Sequence, residues 1–247
     1  MALPNIVHIG SAKAGSTYLW EICKQHPEIY THVGSDNPNF FTIHYHRGLE
    51  FYEQTYFSDV ANELAVVEFS NSYVVSPMAL ERVARHLPRV QLTVMVRNPI
   101  ERCYRSWAAA HYQGRYGFDP DKGIGIPFDD LLHPNRTTYF RAWLEPGFFA
   151  RHLNNVFSLF PRERVLVMVF DDLESDPDTF LSRYFKFLGV DSAFVTNLIG
   201  QYVNPDTVEA HEYRGLSSAM RAELGRLFRE DIDELSQLLD RDLSHWS

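Results

Sequence analysis

Cysteine and basic residues are scarce in this sequence, and each scarcity argues against a class of protein. The two cysteines, Cys23 and Cys103, fall in segments of helical character, and no histidine pair at ligand spacing accompanies them. We therefore expect no metal centre and two reduced, packed thiols. The 23 Lys and Arg are outnumbered by 32 Asp and Glu, which gives a net charge of −9. Because such a surface disfavours a nucleic-acid partner, an anion site has to be a local basic pocket.

Long apolar runs are absent as well. No stretch approaches the roughly 20 apolar residues of a transmembrane helix. Met1 is followed almost directly by the strand-like residues 5–10, and not by the apolar core of a signal peptide. We expect a soluble, cytoplasmic protein without an integral membrane segment. The 247 residues suffice for a substantial core, and we interpret 1–247 as one domain. Nothing in the sequence indicates an oligomeric state.

Short β-rich runs alternate with helical patterns along the chain. The predicted strands are residues 5–10, 64–69, 91–97 and 164–170. Helices are predicted to begin at Ser16, Ser76-Pro77, Asn98-Pro99, Asp176-Pro177 and Leu216. At three of these starts a polar residue that can cap the helix stands before a proline. Strands separated by helices predict an α/β fold, with a P-loop-like parallel sheet flanked by helices on both faces.

The loop after the first predicted strand has features of an anion site. Gly10 and Gly15 have the glycine spacing of a nucleotide-binding P-loop, but Lys13 stands before the second glycine, where a P-loop kinase has its lysine directly after it. Backbone N–H groups in such a turn favour a phosphate, and so do the hydroxyls of Ser16 and Thr17 at the positive end of a helix. The alternative is an ordinary turn that contains a lysine.

Two further elements follow predicted strands. Arg97 comes directly before a helix start, and the helix carries Arg105 and Ser106; a positive side chain beside free helix N–H groups favours an anion there. Pairing of Arg97 with a surface carboxylate is the alternative. Glu68 ends the second strand, at the edge of the sheet where ligands of α/β proteins bind. It could be a magnesium ligand, a general base or a paired carboxylate.

Together these segments resemble the sulfotransferases that use 3′-phosphoadenosine-5′-phosphosulfate (PAPS). The stretch SAKAGSTYL is similar to their 5′-phosphosulfate loop, and VMVRNPIERCYRSW is similar to their 3′-phosphate motif. EFSNSY resembles a segment of the heparan-sulfate-type branch, whose glutamate is the catalytic base. The similarity extends over essentially the whole chain. It implies the sulfotransferase fold and in-line transfer of a sulfuryl group from PAPS to a hydroxyl or amine, with 3′-phosphoadenosine-5′-phosphate (PAP) released and no metal involved.

The resemblance also implies roles for individual residues. Lys13 would lie beside the oxygen that bridges phosphate and sulfate and would stabilise charge on the departing phosphate. Glu68 would take the proton of the acceptor. The residues that would contact the donor are Lys13, Ala14, Gly15, Ser16, Thr17, Tyr18, Arg97, Arg105 and Ser106. Among these, Tyr18 stands where cytosolic relatives have an adenine-stacking tryptophan, and Arg97 would bind the 3′-phosphate.

The sequence departs from the family pattern at three places. The serine that usually falls eight residues after the first arginine is replaced by Arg105, and Ser106 follows it. Either the helix is locally irregular, or Arg105 replaces the hydroxyl contact. Relatives often have Lys-Glu where this chain has Asp36-Asn37, which removes a basic contact near the donor. The glycine-rich phosphate loop of the cytosolic branch is missing, and Arg214-Gly215 is a faint substitute.

Several alternatives stay open. A histidine could be the base in place of Glu68, and the candidates are His44, His46 and His111. The chain could also be a metal-dependent P-loop nucleotide kinase with Glu68 on magnesium, or a catalytically inactive nucleotide-binding homologue.

The acceptor could be a carbohydrate, a lipid-linked or polyketide-type alcohol, or a small phenol. An aromatic segment is expected either to line the acceptor cleft or to belong to the core, and its members are Phe40, Phe41, Tyr45, Phe51, Tyr52 and Tyr56. Residues Tyr112–Pro134, rich in Gly, Asp and Pro, predict a long loop or lid beside it.

Overall fold

The computed structural model describes residues 3–34, 36–113, 140–199 and 216–247. Most of the predicted loop from Tyr112 to Pro134 lies outside the described residues, and so do Arg214 and Gly215. The chain divides into two compact units. The first comprises Met1–Val96 with Asn155–Val203, and the second comprises Arg97–Asn154 with Asn204–Ser247.

A parallel sheet organises the first unit. Its five described strands are β1 (Ile6–Gly10), β2 (Ile29–Thr31), β3 (Ala65–Phe69), β4 (Gln91–Val96) and β5 (Val165–Val169). They lie in the order β2-β3-β1-β4-β5, and each neighbouring pair is parallel. Every residue of β1 and β3 is buried, as expected for strands covered on both faces. The four strands predicted from sequence are confirmed, and β2 is an addition.

Eight helices lie in the described residues of the two units. They are α1 (Ser16–Cys23), α2 (Gly48–Tyr56), α3 (Pro77–His86), α4 (Pro99–Gln113), α5 (Phe149–Leu159), α6 (Phe170–Ser175), α7 (Pro177–Leu188) and α8 (Ser218–Leu239). Short π-helical turns occupy Phe40–His44 and Phe140–Leu144, and 3-10 turns occupy Tyr45–Arg47, Glu145–Gly147, Arg162–Arg164 and Ser244–Trp246. This is the α/β architecture that the strand and helix pattern predicts.

The predicted helix starts are formed by side-chain caps. The Ser76 hydroxyl accepts the backbone N–H of Ala79 (3.3 Å), and the Asp176 carboxylate accepts that of Thr179 (3.1 Å). Each cap satisfies an N–H group that the first turn of a helix leaves without an internal partner. Two strands end one residue earlier than predicted. Strand β4 ends before Arg97, and β5 ends before Phe170, which begins α6.

The core of the first unit packs α1 and α7 against the sheet. Leu19 and Ile22 of α1 join a buried cluster with the apolar face of α7, whose members are Phe180, Leu181, Tyr184, Phe185 and Leu188. Cys23 belongs to this cluster, and Cys103 is likewise buried and free. Burial raises the pKa of each thiol to about 12. Both cysteines are therefore packed, protonated thiols, as the sequence predicts.

The second unit is built around α4 and α8. The rings of Phe148 and Phe228 pack at a tilt of 53° with centres 4.9 Å apart, and a Cβ on Gly147 would lie only 2.9 Å from the Phe228 ring. The carboxylate of Asp231 in α8 accepts the backbone N–H groups of Ala150 (3.0 Å) and Arg151 (3.1 Å), so it caps the start of α5. Across the described ranges, no helix has both the length and the apolarity needed to cross a membrane.

Candidate active site

The loop between β1 and α1 has the backbone geometry of an anion site. Gly10, Lys13 and Gly15 have φ values of 136°, 66° and 105°, in the left-handed half of conformational space. Alternation of such residues with right-handed ones turns successive N–H groups toward one concave side of the chain. The N–H groups of the first turn of α1, which starts at Ser16, have no carbonyl partner within the helix. Within the loop, the N–H groups of Ser11 and Ala14 bond to the carbonyls of Met95 (3.0 Å) and Ser11 (3.3 Å). Binding of a phosphate by this loop stays a prediction.

Packing accounts for both glycines of this loop. A Cβ on Gly10 would lie 2.7 Å from the carbonyl oxygen of Asn71. A Cβ on Gly15 would lie 3.0 Å from the sulfur of Met95 and 3.1 Å from the ring of Phe170. The glycine spacing that resembles a P-loop is thus required by close contacts with the end of β4, the start of α6 and the segment after β3.

Thr17, a predicted phosphate ligand, has a carboxylate partner. Its hydroxyl donates a hydrogen bond to Asp36 Oδ2 (3.0 Å), and Asn37 Nδ2 donates to Asp36 Oδ1 (3.1 Å). Thr17 and Lys13 are half-buried, whereas Ala14 and Ser16 are buried. The Asp36-Asn37 departure from the family pattern therefore lies directly against the loop that the sequence assigns to the donor phosphate.

Tyr18 is half-buried beside the core of the first unit. Its ring packs against the buried cluster, and its hydroxyl donates to the carbonyl of Leu198 (3.4 Å). Burial and then the nearby Asp178 charge raise the pKa of Tyr18, so its hydroxyl stays protonated at neutral pH. Stacking of this ring on an adenine stays a prediction.

Glu68 is buried at the end of β3, with 2% of its surface exposed, and it accepts hydrogen bonds from three hydroxyl groups. Tyr52 donates to Oε2 (2.7 Å), Tyr73 donates to Oε1 (2.9 Å), and Ser70 also donates to Oε1. Burial raises the pKa of the Glu68 carboxyl, and the bonds from Ser70, Tyr52 and Tyr73 offset part of that rise. Glu68 is therefore a carboxyl group bound by three hydroxyls. Its roles as a general base and as a paired carboxylate both stay open.

Two backbone N–H groups orient the hydroxyls that serve Glu68. The N–H of Asn39 donates to Ser70 Oγ (2.9 Å), and the N–H of Phe41 donates to Tyr73 Oη (2.9 Å). The segment Asp36–Phe41 supplies both of these groups and also contacts Thr17 through Asp36. It thereby connects the glycine loop to Glu68 within the first unit, a link that sequence reasoning missed. Its sequence signal is the stretch Asp36-Asn37-Pro38-Asn39 before the Phe40-Phe41 pair.

The predicted 3′-phosphate residues belong to the second unit. Arg97 is half-buried between β4 and α4, and Asn98 caps α4 by accepting the N–H of Ile100 (2.9 Å). The helix runs without interruption from Pro99 to Gln113, so Arg105 and Ser106 point about 100° apart. This regular helix removes the alternative of a local irregularity.

Arg105 and Ser106 have different surroundings. Ser106 is buried with 3% of its surface exposed, and its hydroxyl accepts a bond from Nη1 of the fully buried Arg102 (3.2 Å). Arg102 Nη2 also donates to the carbonyl of Trp143. Arg105 is half-buried. The contact of either residue with a 3′-phosphate stays a prediction.

The aromatic segment divides between core and surface. Phe40, Phe41, Tyr52 and Tyr56 are buried, whereas Tyr45 and Phe51 are half-buried. Tyr45 hydrogen-bonds to His86 (2.8 Å). Of the rival histidines, His46 is exposed, His44 lies near the Phe51 ring (6.4 Å between centres), and the side chain of His111 lies outside the described residues.

A comparison with models of protein families shows to which family this chain belongs. The profile of the sulfotransferase domain matches residues 3–226. The chain belongs to the sulfotransferase family. Membership agrees with the resemblance drawn from the motifs, and it does not favour the nucleotide-kinase alternative.

Relatives of this sulfotransferase include enzymes of heparan sulfate. The bifunctional heparan sulfate N-deacetylase/N-sulfotransferase 4 of Mus musculus is 26% identical over 268 residues, covering 97% of the chain and 30% of the relative. The heparan sulfate glucosamine 3-O-sulfotransferase 3B1 of Mus musculus is 31% identical over 193 residues, covering 76% of the chain and 46% of the relative. The chain thus spans less than half the length of these curated relatives.

Solved sulfotransferases share the fold. The crystal structure of a sulfotransferase from Alicyclobacillus acidocaldarius matches with a TM-score of 0.78 and 25% identity, over 100% of this chain and 99% of that one. Mouse sulfotransferase SULT7A1, solved in complex with PAP, matches with a TM-score of 0.58 and 14% identity, over 93% and 84% of the two chains. The predicted sulfotransferase fold is confirmed.

Proposed function

We propose that this protein transfers a sulfuryl group from PAPS to a hydroxyl or amine of an acceptor and releases PAP. The observation that carries the proposal is the arrangement within the first unit. A glycine loop with Lys13 follows β1, and Glu68 lies in the neighbouring strand β3. The segment Asp36–Phe41 bonds to Thr17 at the start of α1 and to two hydroxyls that donate to Glu68. Family membership over residues 3–226 supports the same chemistry.

The donor is assigned to residues of both sequence motifs. Lys13, Ala14, Gly15, Ser16 and Thr17 fit the 5′-phosphate end, because the loop offers N–H groups, a hydroxyl and a positive charge together. Arg97 is assigned to the 3′-phosphate with Arg105 or Ser106, and Tyr18 is assigned to the adenine. A protein of the same fold solved with PAP supports this donor.

Glu68 is assigned the role of general base. Its carboxylate takes the proton from the acceptor O–H or N–H while the acceptor's electron pair forms the new bond to sulfur. The bond from sulfur to the phosphate oxygen breaks, and the charge left on that oxygen is stabilised by Lys13. The balance of atoms and charge needs no metal ion. Orientation of the two reactants supplies much of the rate enhancement.

The acceptor is assigned to carbohydrates that carry an amine or a hydroxyl. Two relatives bear names for N-sulfation and for glucosamine 3-O-sulfation of heparan sulfate, which supports both atom types. We further assign the chain to a single functional domain in the cytoplasm, and its two buried, free thiols agree with a reducing compartment.

Two measurements on the purified chain test this function. Thermal unfolding with PAP, without magnesium, should show stabilisation, whereas ATP with magnesium should give less. Transfer from radiolabelled PAPS is then screened over glucosamine-containing saccharides, alcohols and phenols. We expect a labelled saccharide with the wild type and none with Glu68→Gln, which retains PAP binding. Binding of PAP without transfer to any acceptor would instead identify an inactive homologue, and full activity of Glu68→Gln would favour a histidine base.

A further inference from the structure

The hydroxyls around Glu68 have a fixed direction of donation. A Ser or Tyr hydroxyl has one proton to donate, and it can also accept. Ser70 accepts the N–H of Asn39, and Tyr73 accepts the N–H of Phe41. Both hydroxyls direct their own protons toward Glu68 Oε1. The two backbone N–H groups thus help to orient hydroxyls that donate to Glu68.

The third hydroxyl approaches the other carboxyl oxygen. Tyr52 in α2 donates to Glu68 Oε2 (2.7 Å), and its ring is stacked on Phe40 at 4.2 Å between centres. Burial and then the Glu68 charge raise the pKa of Tyr52 well above its ordinary value, so it remains a donor. Three hydroxyl protons thus point at the Glu68 carboxyl, and hydrogen bonds donated to it stabilise its ionised form relative to its protonated form.

We propose that Ser70, Tyr52 and Tyr73 are positioning residues that hold buried Glu68 ionised and fixed in orientation for the acceptor's proton. This inference rests on the proposed function and adds three residues to it. Without these donors, burial would raise the pKa of the carboxyl further and would make the ionised form that a base needs less favourable. With two donors on Oε1 and one on Oε2 among the described residues, Oε2 keeps a lone pair for that proton.

The other titratable and charged groups near Glu68 lie on the elements packed around it. The titratable side chains that respond to its charge are Tyr52, Tyr56 and Tyr73. The charged side chains on the neighbouring elements are Arg47, Arg82 and Asp36. The charge of Arg47 lowers the pKa of Tyr56, and Arg82 of α3 donates to the Phe41 carbonyl (2.7 Å). Asp36 accepts the hydroxyl of Thr17. The test variants alter none of these groups except the two tyrosines in question.

The test is the pH dependence of sulfuryl transfer in Tyr52→Phe and Tyr73→Phe. Removing one donor raises the pKa of Glu68, so the acidic limb of the rate profile should move up by about one pH unit, the scale of one hydrogen bond to a charged group. The matched control is Tyr30→Phe. It removes a hydroxyl that donates to the Tyr56 carbonyl (2.8 Å) and leaves the hydrogen bonds of Glu68 in place. A merely structural role would lower the rate at every pH without moving the limb.

Conservative replacement and a direct titration complete the experiment. Ser70→Ala should move the limb and Ser70→Thr, which keeps the hydroxyl, should restore it. The Glu68 carboxyl is also followed by carbon NMR of glutamate-labelled protein, with Glu68→Gln to assign its signal. If Tyr52→Phe fails to fold, Tyr73→Phe and Ser70→Ala decide the question.

The outcomes separate this inference from the proposed function. An active enzyme whose acidic limb and Glu68 titration are unmoved in Tyr52→Phe and Tyr73→Phe overturns the inference alone. An equal shift of both in Tyr30→Phe would overturn it as well. A protein that neither binds PAP nor transfers sulfate overturns the proposed function, while the NMR titration still reports whether the hydroxyls hold Glu68 ionised.

Discussion

The hydroxyl of Thr17 donates a 3.0 Å hydrogen bond to the carboxylate of Asp36. Thr17 lies at the start of α1, where the free N–H groups and the helix dipole favour an anion. In the described structure, the anion hydrogen-bonded to this hydroxyl is thus a side chain of the protein itself. A donor phosphate bound at Thr17 would compete with Asp36 for the hydroxyl and would be repelled by its charge.

We therefore expect Asp36→Asn to bind PAP more tightly than the wild type. The amide keeps a hydrogen-bond acceptor for Thr17 but removes a like charge, which is worth about 1 kcal/mol for a half-buried group and corresponds to roughly fivefold in affinity. Titration calorimetry at low salt measures the difference. The matched control is Asp59→Asn, an exposed aspartate bonded to Ser58, whose affinity should equal that of the wild type. Weaker binding by Asp36→Asn would mean that Asp36 supports the donor site.

Replacement of Lys13 should affect turnover more than donor binding. The proposed role of Lys13 is to stabilise charge that appears on the phosphate oxygen only as its bond to sulfur breaks. We expect Lys13→Ala to lower kcat about 100-fold or more while the PAP affinity falls much less. The measurements are single-turnover transfer and PAP titration. Lys24→Ala, which removes a lysine paired with Glu21 (2.8 Å), is the control. Equal losses in both quantities would assign Lys13 to binding alone.

Much of the fold follows from local sequence signals. The apolar runs of β1, β3, β4 and β5 are largely buried, as continuous hydrophobic strands of a parallel sheet must be. The starts at Ser76-Pro77 and Asp176-Pro177 are capped by the predicted side chains. Strand β2 escaped prediction because its three residues, Ile29–Thr31, are too few to show a period.

The chemistry around Glu68 was only partly predictable. Its place at the end of a strand follows from the sequence, but its partners come from separate places in the chain. Tyr52 lies 16 residues before Glu68 on a helix that was not predicted, whereas Ser70 and Tyr73 follow it closely. Tertiary packing alone decides that Tyr52 points at Glu68 and not at an acceptor. The same holds for Ser106, whose bond to Arg102 no motif indicates.

Replacement of Arg97 should weaken binding of the 3′-phosphate of PAP specifically. If it forms a charge-assisted contact there, Arg97→Ala should weaken PAP binding by about 1.5–3 kcal/mol and leave adenosine 5′-phosphate binding nearly unchanged. Arg105→Ala and Ser106→Ala, tested with the same ligand pair, assign the second contact to one of the two residues. Arg162→Ala, which removes an arginine stacked on Phe157 (4.2 Å), is the control. Equal PAP affinity in Arg97→Ala and the wild type would place the 3′-phosphate elsewhere.

His8 should make the stability of the protein depend on pH. It is fully buried in β1, Nδ1 lies 3.0 Å from the Thr93 hydroxyl, and burial lowers its pKa from 6.5 to about 3. Between these values the unfolded chain binds a proton that the folded chain does not, so the contribution of His8 to stability falls as the pH falls. From pH 7 to pH 5 this amounts to about 2 kcal/mol. Urea unfolding of the wild type and His8→Gln at both pH values isolates the difference, and parallel losses in the two proteins would show that His8 is not its source.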